Sequence, residues 1–211
     1  MNVAYANVER FQHPNGNGNP LTEKGEFIEF WEFDPDKRLE YLLQYDFISH
    51  EAPITRPLLK SDQIKYVTIL RHPLDLIYSE YKHSSAANPE VGTFEKYFEN
   101  AMWWNVPWSR SPLISTFGAD KGEQAAYLNI DQFHSVMFLE TLATDIQVMK
   151  ELAGWNILDI NKYRGGTTSN TDTRKELAGT PLLKRLEKEL ERDIEFYHEM
   201  RMNWRNGQRV K

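Results

Sequence analysis

Cysteine is absent from all 211 residues, which excludes a disulfide framework and thiolate zinc sites but leaves the compartment open, since many secreted domains also lack disulfides. No stretch approaches the roughly 18 consecutive apolar residues that span a bilayer, and the first residues lack the basic region and apolar block of a signal peptide. As written, the chain reads as soluble. An excess of positive charge is missing too. With 25 Lys and Arg against 31 Asp and Glu, net −6, there is no general field to draw the protein onto nucleic acid or an anionic membrane. Any anion site has to be local. The Gly-x-x-x-x-Gly-Lys-Ser/Thr pattern is also lacking, which disfavours a P-loop kinase. No acidic cluster near Arg71 offers the magnesium ligands that phosphoryl transfer usually demands.

What is present fits one domain over residues 1–211, without internal repeats or an interior linker, and a domain of this length buries roughly 70% of its unfolded surface. The opening "MNVAYANVERF" has helical spacing but no capping residues leading in, as though the sequence began inside a helix. "HPNGNGNP" reads as a loop and "GEFIEFWEF" (Gly25 to Phe33) as a strand with one wet face. "DPDKRLEYLLQ" predicts a helix capped by Asp34 with Pro35 in its first turn. A short strand "YDFIS" then delivers His50.

Tyr66 to Leu70 is a continuous apolar, β-rich run, as expected of a strand covered on both faces of a parallel sheet. A helix "PLDLIYSEYKHSS", a strand Ser135 to Glu140 and a helix "TLATDIQVMKELAG" follow; Leu142, Ile146, Met149 and Leu152 share a face of the last, and Gly154 stops it. This alternation predicts an α/β fold with a mainly parallel sheet flanked by helices, whose ligands bind beyond the carboxyl ends of the strands. His50 and Arg71 both stand at such ends. Between these units, "FEKYFENAMWWNVPWSRSPLISTFG" holds three of the six tryptophans and reads either as a short helix with a packed loop or as an aromatic wall able to stack on a sugar. "TPLLKRLEKELERDIEFYHEMRMNW" predicts one long amphipathic helix, with its charges on a solvated face.

Arg71 admits two readings. It is an ordinary solvated strand end, or it grips an anion with its planar fork of donors beside the N-terminus of the next helix. Pro73 presets the first helical φ, and Ser79, two turns on, carries a hydroxyl for the same anion. His50 is either a strand cap or a general base, with Glu51 beside it to orient the ring or simply exposed. His72 and His83 are expected to face solvent or helix neighbours and receive no catalytic role. In "YRGGTTSNTDTRK", Arg164, Thr167, Thr168 and Ser169 form an anion-facing loop or a plain surface turn.

"ILRHPLDLIYSEYKH" resembles the motif with which Golgi sulfotransferases hold the 3′-phosphate of the sulfate donor PAPS, the arginine and serine of that motif falling on Arg71 and Ser79. From about Tyr45 to the end, the chain is similar in order to the galactose-3-O-sulfotransferase family, which includes galactosylceramide sulfotransferase. "YDFISHEAPI", "WSRSPLISTFGAD", "VMFLETLATDIQVMKELAGWNILDI" and "DIEFYHEMRMNWRN" carry the looser matches. The resemblance implies a P-loop-NTPase-like sulfotransferase fold lacking its first strand and the lysine-bearing 5′-phosphosulfate loop. It further implies sulfuryl transfer from PAPS to a galactose-type hydroxyl of a glycolipid or glycoprotein, with His50 as base and no metal. Arg164, Thr168 and Ser169 then fall in a polar segment near the nucleotide. The family is lumenal and membrane-anchored in the Golgi, and nucleic acid is no partner. A non-catalytic glycan- or nucleotide-binding remnant and a heparan-type Golgi sulfotransferase stay open as alternatives.

Overall fold

The computed structural model describes residues 34–43, 54, 58–100, 111–153 and 173–205. The expected opening helix, the strands at Gly25–Phe33 and "YDFIS", and the tryptophans of 103–108 lie outside them. Contacts divide the chain into two units, residues 1–65 with 116–132 and residues 66–115 with 133–211.

In the first unit, α1 spans Pro35–Leu42. As the sequence predicts, Asp34 caps it: Oδ1 accepts from Lys37 N–H at 2.9 Å, satisfying one of the donors a helix start leaves bare. Ile54 N–H donates to the Thr116 carbonyl at 2.8 Å.

The second unit carries the sheet. β1 (Val67–Leu70) pairs in parallel with β2 (Ser135–Phe138), Val67 opposite Ser135 and Leu70 opposite Phe138. The chain is therefore α/β with parallel strands, among many helices. The expected cover on both faces holds at Leu70, 2% exposed, but not at Ile69, 47% exposed. Successive side chains point to opposite faces, so one face of β1 is closed at this end and the other is open.

α2 (Pro73–Ala87) follows β1, with Pro73 at the first helical position as predicted. α3 (Phe94–Asn100) is the short helix expected in the aromatic segment. α4 (Pro112–Gly118) and α5 (Gly122–Ile130) were not foreseen. Gly118 is required where it stands: a Cβ there would come within 3.1 Å of the Ala126 nitrogen.

β2 is shorter than expected, ending at Phe138, and Glu140 falls in a 3-10 turn (Leu139–Thr141). The helix predicted after it is two pieces, α6 (Leu142–Asp145) and α7 (Gln147–Ala153). The Asp145 carboxylate turns back to accept from Phe138 N–H at 2.9 Å and Thr141 O–H at 2.7 Å. Leu142, Ile146 and Met149 are buried, as their shared face predicts.

After α8 (Thr173–Glu176), the long C-terminal helix is likewise divided, into α9 (Pro181–Glu189) and α10 (Glu191–Arg205). The two pieces meet at Leu190. Leu190 has φ −100° and ψ 11°, yet Leu190 N–H still reaches the Leu186 carbonyl and Ile194 N–H the Leu190 carbonyl, both at 2.9 Å. Leu186 and Leu190 pack with Leu74, Ile77, Phe94 and Phe98 in one cluster, so the apolar stripe read from the sequence sets α9 against α2 and α3. Among the described residues, no helix is long and apolar enough to cross a membrane.

Candidate functional site

The turn from β1 into α2 holds Arg71, His72 and Pro73. Arg71 is half-buried where the strand's carboxyl end meets the start of a 15-residue helix. Among the described residues no carboxylate pairs with its side chain. Ser79 is also half-buried, and its hydroxyl has no hydrogen-bond partner among them. Helical Ser usually bonds back to a carbonyl one turn before, as Ser115 does to Ser111 at 2.6 Å, so the Ser79 hydroxyl remains available.

Asp75 lies one turn before Ser79 on the same helical face. Its Oδ1 accepts from Thr173 N–H at 3.1 Å and from Thr173 O–H at 2.5 Å, and Thr173 is fully buried. Thr173 is thus fastened to the first turn of α2. Arg164, Thr168, Ser169, His50 and Glu51 lie outside the described residues.

Of the two expectations for His72, solvent or helix neighbours, the second holds. The residue does not face solvent but is 7% exposed, packed edge-on to Tyr197 and His198 with ring centroids 5.2 and 5.8 Å away. It caps α2 where Ser, Thr, Asp or Asn is usual: Nδ1 accepts from Leu74 N–H at 3.3 Å. Nε2 lies 3.1 Å from Arg174 Nη2. A neutral imidazole has one bare nitrogen, so the ring accepts from only one of these donors at a time, and a proton on both nitrogens would oppose both. Burial, followed by the Arg174 charge, lowers the His72 pKa to about 4 against the partial opposition of Asp75 and Glu140. His198 is lowered as well, by burial and then by Arg174 and Arg201. His83 is exposed, as expected.

This neutral histidine gives a stability prediction. An unfolded imidazole titrates near 6.5 and the folded one near 4, so between those values the unfolded chain binds a proton that the native chain refuses. Stability is complete above about pH 6.5 and declines as pH falls toward 4. The expected loss at His72 is about 2 kcal/mol after allowance for solvent screening. Urea unfolding at pH 7, 6 and 5 measures it. His72→Asn, which keeps a capping oxygen, should flatten the profile, and equal stability of the parent protein at pH 7 and 5 would refute the assignment.

Glu140 is a site residue that sequence reasoning missed. Oε1 accepts from His72 N–H at 2.9 Å and Oε2 accepts from the Tyr197 hydroxyl at 2.6 Å. Burial and then the bond to Glu140 push the Tyr197 phenol above its usual range, so Tyr197 acts as a donor. A strand end in register with β1 was the signal that could have found Glu140. Among the described residues no group of three or more His, Asp or Glu is arranged to hold a metal ion.

A family model described as a sulfotransferase domain matches residues 2–111. That span contains His50, β1, Arg71 and Ser79; Glu140, Thr173 and Tyr197 lie beyond it. No curated protein and no solved structure matches the chain.

Proposed function

The chain belongs to the sulfotransferase-domain family, and on that premise we propose that it moves a sulfuryl group from PAPS to a hydroxyl of a galactose-type sugar on a glycolipid or glycoprotein. The observation that carries the donor half is Arg71. It is a half-buried arginine at a parallel strand's carboxyl end, without a carboxylate partner among the described residues, and next to a helix N-terminus that favours anions. A guanidinium so placed suits the 3′-phosphate, and the Ser79 hydroxyl supplies a further donor.

PAPS provides an activated sulfuryl group whose leaving group is a phosphate. The chain's own residues then have two tasks, to hold the nucleotide and to take the acceptor's proton. Arg71 and Ser79 are assigned the first. Arg164, Thr168 and Ser169, which precede the Thr173 that Asp75 holds, are assigned to it as well. His50 is assigned the second task, since histidine as a residue type, with a reference value near 6.5, suits a base at neutral pH. On this reading the enzyme works without a metal, as a membrane-anchored protein of the Golgi lumen.

The test is transfer from PAPS to a panel of galactosides, followed by mass shift or radiolabel, with the full-length protein. Sulfated galactoside is the expected product. Transfer only to other sugars would overturn the acceptor assignment. Neither transfer nor binding of adenosine 3′,5′-bisphosphate would overturn the whole reading.

A further inference from the structure

We propose that Glu140 is a positioning residue for Arg71, fixing the strand-to-helix turn from the neighbouring strand; this rests on the reading of Arg71 as the phosphate ligand. Parallel pairing sets Leu70 opposite Phe138, so the residues two positions further on, His72 and Glu140, leave the sheet at the same edge. The N–H that Glu140 accepts at 2.9 Å is that of His72. That N–H belongs to the rigid peptide unit whose carbonyl carbon is Arg71's own. Holding it fixes the plane on the C-terminal side of Arg71, and hence the direction in which its Cα–Cβ bond leaves the backbone.

The second oxygen is also engaged. Tyr197, fully buried in α10, donates to Oε2 at 2.6 Å. Its ring meets Phe138 and His72 with centroids 5.5 and 5.2 Å away. Glu140 is solvent-exposed as a residue, so water could have served the His72 N–H in its place. A carboxylate tied at both oxygens, to the turn and to α10, instead holds one orientation. It carries the same sign as a phosphate and both its oxygens are engaged, so it acts through the backbone of Arg71 rather than as a ligand.

The experiment compares full-length parent protein with Glu140→Ala, Glu140→Asp, Glu140→Gln, Tyr197→Phe and Arg71→Ala. It measures binding of adenosine 3′,5′-bisphosphate by calorimetry, and KM and kcat for PAPS. Losing the charged acceptor in Glu140→Ala, or its reach in Glu140→Asp, should weaken binding about tenfold and raise KM, with kcat held within about twofold. Glu140→Gln should retain binding to within about threefold, because its amide oxygen accepts from His72 N–H and its amide N–H donates to the Tyr197 oxygen. Tyr197→Phe, which keeps the ring and removes one bond, should weaken binding by about threefold. Parent-like affinity in Glu140→Asp and Tyr197→Phe, or a loss in Glu140→Gln equal to that in Glu140→Ala, overturns the proposal. If Arg71→Ala binds like the parent, the reading of Arg71 itself fails, and the role of Glu140 fails with it.

Discussion

Replacing Arg71 with alanine is expected to weaken the binding of adenosine 3′,5′-bisphosphate by about 100-fold while moving the thermal midpoint by less than about 2 °C. The affinity loss follows from the kind of bond removed. A guanidinium donates two parallel, charge-assisted hydrogen bonds to a phosphate, each contributing roughly 1.5–3 kcal/mol net, and half-exposure places the sum near the lower end. Stability should hardly change because the side chain has no carboxylate partner among the described residues that its removal would strand. A salt-bridged structural arginine would behave in the opposite way, losing stability with no effect on the nucleotide. Arg71→Lys should recover only part of the affinity, since an ammonium supplies charge without the planar fork. Calorimetry and thermal melting on the same samples separate the two cases. Unchanged affinity in Arg71→Ala would remove Arg71 from the site.

The half of this site that local spacing encodes was legible in the sequence, and the half that tertiary contact builds was not. Arg71, Pro73 and Ser79 lie within nine residues, and the apolar run before them identifies the strand whose end they occupy. Glu140 meets His72 across 68 residues of chain and Tyr197 across 57, while Asp75 meets Thr173 across 98. No periodicity in a single segment records such pairings. The cap that His72 makes was missed for a related reason. It depends on burial beneath α10, and histidine is not among the residues that announce a helix start.

The fold divides in the same manner. The parallel sheet, the Asp34 cap and the stripe from Leu186 to Tyr197 follow from patterns of two to four residues. The division at Leu190 left no mark because Leu186, Leu190, Ile194 and Tyr197 keep helical spacing across it. α4 is only seven residues long and contains Ser115, Thr116 and Gly118, too short and too poor in helix formers to be expected from propensity. Its stabilisation comes from elsewhere in the chain.

That source is Asp193, and its removal should have the largest effect on stability of any substitution considered. Asp193 stands among the charges of α10 that the sequence assigns to a solvated face, yet it is fully buried. Its Oδ2 accepts from Leu113 N–H at 2.9 Å and its Oδ1 from Ile114 N–H at 3.0 Å. These are two of the donors that the start of α4 leaves without intrahelical partners. The carboxylate thus caps α4 from about 80 residues away, with its charge at the positive end of the helix. Alanine there would leave two buried N–H groups without their charged acceptor, at a cost of about 3–4 kcal/mol. For a chain of this length, that lowers the thermal midpoint by about 8–14 °C. Asparagine should do little better than alanine at one of the two bonds, since its NH2 would face a backbone donor where an oxygen now accepts. Ser111→Ala is the contrasting case: the Ser111 carbonyl that holds Ser115 N–H at 2.8 Å is untouched by the change, so α4 keeps its own bonds and the midpoint should stay within about 2 °C. Thermal and urea unfolding of the parent and these variants measure the difference. A shift below about 2 °C in Asp193→Ala would mean that water replaces the carboxylate at the start of α4 and that the helix is held by the packing of Leu113 and Ile114 instead.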